Sequence, residues 1–178
     1  MFGIDNPTPA SVEMIRRTGA AQLCVYLISY ALIFNNLGVN SAIGLGLLPM
    51  TACVIAALLN NNYDKTGMKK DGDIAGLIVF GSAVLANLFK VLNSTVTAKI
   101  ASIFVLLGGL SMTFDQSIGT KMWFNREVSD GKEKAVCGTI GVTLLFAATP
   151  LVTLAFGDET QVVTALLRAL FVFSLVSI

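Results

Sequence analysis

Long apolar runs dominate the chain, and the polar residues that interrupt them define its organisation. A helix rises 1.5 Å per residue, so about 20 uncharged residues cross a hydrocarbon core ~30 Å thick. Between Arg17 and Asp64 there is no Asp, Glu, Lys or Arg, a stretch too long for one helix. The polar cluster Asn35, Asn36, Gly38, Asn40 and Ser41 divides it into helices at about 18–35 and 41–60. A third helix is expected at about 74–93, with Asp73 as N-cap and Asn93-Ser94-Thr95 as its end. A fourth follows at about 96–114, and Lys90 and Lys99 lie close enough to that turn to snorkel. Residues 135–156 lack any charge and form the clearest span. Gly157-Asp158 then offers a turn and a cap to a last apolar helix at 160–178, which carries Arg168.

The fold expected is an all-α integral membrane protein: a bundle of about six transmembrane helices with a short interfacial amphipathic helix. Residues 1–17 read as a polar N-terminal segment, without the basic and apolar regions of a secretory signal, and 18–178 as one transmembrane domain. The interfacial loop 115–134 holds the amphipathic stretch Lys121-Met122-Trp123-Phe124-Asn125-Arg126. Its lone Trp beside Phe and between cations suits the headgroup level.

Charge placement supports this division. Lys and Arg in short loops stay on the cytoplasmic, stromal or matrix side. With six spans, nine of the twelve cations (Arg16, Arg17, Lys65, Lys69, Lys70, Lys121, Arg126, Lys132, Lys134) fall on one side, Lys90 and Lys99 on the other, and Arg168 within a span. Both termini are then expected on the positive side, in a membrane such as the thylakoid or the inner mitochondrial membrane.

Composition narrows the function. The chain is 54% hydrophobic and 13% charged with a net charge of +1, so it has neither a soluble domain's surface nor a field that attracts nucleic acid. It has no His, which removes the commonest general base and metal ligand. Cys24, Cys53 and Cys137 each sit in an apolar run without ligand spacing and read as packing residues. The loop YDKTGMKKDGD lacks the oxygen pattern of a calcium loop and reads as a solvated turn. No nucleophile–base pair, metal cluster or phosphate loop is visible, and an enzyme is not expected.

Pro49 and Pro150 suggest an inverted repeat, but both fall in the half of the membrane nearer the less charged side, so they read as ordinary kinks. All eleven acids fall outside the spans or at their ends, which argues against proton coupling. Gln22, Tyr26, Ser29 and Tyr30 share one face of the first span, as a helix contact or a pore lining. Ala135, Thr139, Thr143 and Ala147 form a small-residue stripe suited to close packing, with the Thr hydroxyls bonding across the contact. The function expected is a non-catalytic accessory or assembly subunit of a larger membrane complex, of the photosynthetic or respiratory kind, packing helices and lipids or pigments. Trp123, Phe124, Thr139, Thr143 and Arg168 are its candidate partner contacts. Membrane lipids and other integral membrane subunits are the expected partners. Lipids are the expected bound molecules; chlorophyll or carotenoid would be further cofactors, and the magnesium of a chlorophyll would need Gln22, Asn87, a backbone carbonyl or water as its ligand. The alternative is a channel or facilitator for a small uncharged solute.

Overall fold

A computed structural model describes residues 8–35, 37–91, 93–125, 128 and 131–176, without the side chains of residues 33, 94, 123, 124, 159 and 170–176. The described residues form helices and no strands: α1 (Pro9–Ile33), α2 (Val39–Leu59), α3 (Asn62–Thr66), α4 (Asp71–Phe89), α5 (Ser94–Phe114), α6 (Gln116–Phe124), α7 (Gly131–Phe156) and α8 (Glu159–Val176). Four of them, α2, α4, α5 from Thr95 and α7, are long and apolar enough to cross a membrane.

α1 starts at Pro9 rather than near residue 18, which corrects the expectation of a polar tail. Thr8 caps it, its hydroxyl accepting from the Ser11 N–H at 3.1 Å, and Pro9 supplies a preset φ where no N–H is needed. Glu13, Arg16 and Arg17 therefore ride on the first turns of a helix. The loop after α2 is also more than a solvated turn. Asn61 (φ 49°) and Gly67 (φ 69°), both in the left-handed region, bracket the single turn α3 and fold Tyr63 and Met68 inward. Asp73 does not cap α4. That helix begins at Asp71, and the Asp73 carboxylate reaches instead to α1 and α3. Asn93 caps α5 through the Val96 N–H at 3.1 Å, and Asp115 caps α6 through the Ile118 N–H at 3.0 Å. The short helix expected around Trp123 thus lies at 116–124 and folds back on the end of α5.

Five helices close a ring in the order α1, α2, α4, α5, α7 and back to α1, with α8 packed on α7. The α5–α7 seam is the most extensive of the ring and the α4–α5 seam the least. α5 and α7 approach through glycine: a Cβ on Gly141 would lie 2.6 Å from the Thr113 backbone nitrogen. The core inside the ring falls into two clusters. One holds Ile28, Ile43, Phe80, Val105, Phe146 and Leu151, and the other, at the end where α3 lies, holds Met14, Tyr63, Met112, Val136, Cys137 and Ile140.

Candidate functional site

A chain of polar contacts ties four elements together at the end where α3 lies. Arg17 on α1 is 8% exposed and forks onto Asp73 of α4: Nη1 donates to Oδ1 at 2.6 Å and Nη2 to Oδ2. Its Nε donates to Glu13 at 3.2 Å, one turn earlier. Glu13 also accepts from Asn62 of α3 at 3.0 Å and from Arg16. The Tyr63 hydroxyl donates to Asp73. On the α7 side, Ser11 donates to Glu133 at 2.6 Å. Burial makes an unpaired charge costly, and this network supplies each buried charge with a partner. Burial also pushes the Tyr63 phenol above its ordinary pKa, and the hydrogen bond to Asp73 with its negative charge pushes the same way.

Next to this network is a cavity to which every ring helix contributes: Arg17 from α1, Met50 and Val54 from α2, Asp73, Gly76 and Phe80 from α4, Phe104, Gly108 and Met112 from α5, and Ile140 and Leu144 from α7. It lies where the two core clusters part, since Phe80 and Val105 belong to one and Met112 and Ile140 to the other. Its free interior is about 80 Å³, and among the described residues its only charged lining groups are Arg17 and Asp73. Phe80 and Phe104 meet edge to face at 5.8 Å between ring centres, an arrangement that aromatic quadrupoles favour. At Gly76 a Cβ would stand 3.6 Å from both of these rings.

The residues singled out from sequence lie apart from this cavity. Gln22 is half-buried on α1 and Asn87 is buried on α4 at 1% exposure, its amide donating to the Ala83 carbonyl at 2.6 Å. At that burial the Asn87 side chain packs inside the bundle rather than on its outer face. The Oδ1 of Asn87 has no hydrogen-bond partner among the described residues. Thr143, 2% exposed, is packed within this chain and presents no outer surface; Thr139 is half-buried. Their hydroxyls donate within α7, Thr143 to the Thr139 carbonyl at 2.8 Å and Thr139 to that of Ala135 at 2.9 Å, instead of bonding across a contact. Tyr26 and Tyr30 face outward, so the stripe on α1 lines no pore inside this chain. Arg168 is exposed on α8. The side chains of Trp123 and Phe124 lie outside the described residues.

Spans defined by missing charge begin only after Arg17, so this network falls outside them. Thr8-Pro9 signals a helix start, and Glu13 and Arg17 have the four-residue spacing of a helical ion pair. Asp73, 56 positions from Arg17, carries no such local signal.

The site therefore defines a class: an all-helical bundle with four helices fit to cross a membrane, an ion-paired polar network at one end and a small, mostly apolar cavity beside it. No family model, curated protein or solved structure matches the chain.

Proposed function

We propose that this chain is a non-catalytic subunit of a larger membrane assembly, crossing the bilayer six times with α1 and α8 added to the four apolar helices. Both termini then share the side of the charged loops, cytoplasmic, stromal or matrix. The observation that carries this reading is the setting of Arg168. It is exposed on α8, with no hydrogen bond or ion pair to the described residues. It stands roughly 13 Å along the helix from Glu159 at 1.5 Å per residue. A lipid-exposed guanidinium at that depth costs about 2.5–3.5 kcal/mol on insertion scales, so a partner that supplies acceptors there is favoured. Tyr26 supports the same reading: the residue is 64% exposed in the second half of α1, where lipid would leave the hydroxyl unsatisfied.

The test is purification in mild detergent followed by mass analysis and an absorption spectrum, with photosynthetic and respiratory complexes as the first assemblies to compare. The wild-type protein should comigrate with other membrane subunits. Arg168→Leu should insert normally and lose that comigration. Wild-type comigration by the Leu variant, or a wild-type protein that purifies alone, overturns the proposal.

A further inference from the structure

We infer that the cavity inside the five-helix ring is a binding site for one acyl chain of a membrane phospholipid, entering through the seam between α4 and α5. The inference rests on the membrane-spanning reading and is independent of the subunit reading. Three observations converge. The walls are apolar along their length and end at a single charged pair, Arg17–Asp73, so polarity changes from one end of the cavity to the other as it does along an amphiphile. From Asp73 to Phe80 the cavity runs about 10 Å along α4, at 1.5 Å per residue, down to the edge-to-face Phe80–Phe104 pair.

Size supplies the second argument. A free interior of about 80 Å³ holds about six groups the size of water at 10–15 Å³ each. That is a short stretch of one alkyl chain and far too little for a planar pigment ring. Apart from Arg17 and Asp73 the lining is apolar, which suits an apolar guest.

The route in is the third. Among the ring seams, α4–α5 is the least packed, and glycine stands at the cavity on both sides of it, at Gly76 and Gly108. The neighbouring outward positions Ile78 and Leu107 are exposed and apolar, so the seam opens to the surface that hydrocarbon would cover. A lipid chain is then the most abundant apolar group at the entrance.

The test uses the full chain in phospholipid nanodiscs containing phosphatidylcholine with a mid-chain diazirine, illuminated and mapped by peptide mass analysis. Adducts are expected on Phe80, Phe104 and Met112 as well as on the outward Ile78 and Leu107. Gly76→Leu, which fills the cavity, should remove the inward adducts and keep the outward ones, whereas Gly76→Ala, whose methyl meets its neighbours at ordinary distance, should keep both. Val54→Phe blocks the same space from α2 and serves if Gly76→Leu does not fold. Outward adducts alone in the wild type, or inward adducts that survive both blocking variants, overturn the inference while the membrane-spanning reading stands. Adducts nowhere overturn both.

Discussion

Arg17 and Asp73 lie 56 positions apart in the chain and meet as a two-pronged ion pair between the N-terminal part of α1 and the first turn of α4. The pair is one wall of the cavity and also the centre of the network that holds α3. Planar, parallel hydrogen bonds of this kind fix both distance and angle. The N-terminal part of α1 is thereby set against α4 across the ring, although these two helices do not otherwise pack as neighbours.

A double-mutant cycle measures that link. Asp73→Ala leaves the Arg17 guanidinium buried with Glu13 as its remaining charge partner and should cost about 3–5 kcal/mol. Arg17→Met with Asp73→Leu removes both charges and should recover most of that loss, because Glu13 keeps Arg16 and Asn62. Unfolding in mixed micelles, followed by circular dichroism, reads both. Single variants within about 1 kcal/mol of wild type would show that the pair is held no better than a surface pair.

Tyr63 gives the network a pH signature. Its raised pKa means that the folded protein keeps a proton which the unfolded chain releases near pH ~10. The stabilisation is complete below that pH and is lost as the pH climbs through the folded value. Subtracting the Tyr63→Phe titration from that of the wild type isolates this phenol among the three tyrosines. The folded difference should show no phenolate absorbance at pH ~10, and the unfolded one should show it half formed. Equal titration in the two states would mean that Tyr63 does not reach Asp73 in solution.

Glycine substitutions separate close packing from open space. At Gly141 a Cβ would fall 2.5 Å from Thr113 Oγ1 and 2.6 Å from its backbone nitrogen, so α5 and α7 must part. Gly141→Ala should cost about 1–3 kcal/mol. Gly81 on α4 has nothing within 4 Å of the same position, and Gly81→Ala should stabilise by about 0.5–1 kcal/mol through helix propensity alone. Thermal midpoints of the two variants should move in opposite directions; a shared direction would mean that the α5–α7 approach is looser than drawn.

The long helices were legible because α2, α4, α5 and α7 stay apolar over a helix length, with charges confined to the first turns of α4 and α7 and to Lys99 near the start of α5. The polar end was not. A rule that looks for missing charges discards Glu13 and Arg17 as tail, although Thr8-Pro9 marks a helix start just before them. Asp73 looked like a cap because Asp before an apolar run usually is one, and only the tertiary fold sets it opposite a guanidinium. The small-residue stripe is visible at Thr139 and Thr143, yet the close contact with α5 runs through Gly141, roughly on the opposite face of α7, and through Gly109 of α5. Small residues mark where helices can approach; the seam they use depends on what the neighbouring helix presents.

The last prediction concerns sidedness, motivated by the nine-to-two distribution of cations and by the network that gathers the start of α1, α3, the start of α4 and the start of α7 at one end. If six helices cross, the loops holding Lys65 and Lys132 lie on one side and the α7–α8 turn holding Asp158 on the other. All three residues are exposed, so a thiol there is open to reagent. In a background where Cys24, Cys53 and Cys137 are replaced by Ala, Lys65→Cys and Lys132→Cys should react with a membrane-impermeant maleimide from the same side of sealed vesicles. Asp158→Cys should react only from the opposite side. An Asp158 thiol on the same side as the other two would mean that α7 does not cross, and the six-span arrangement falls with it.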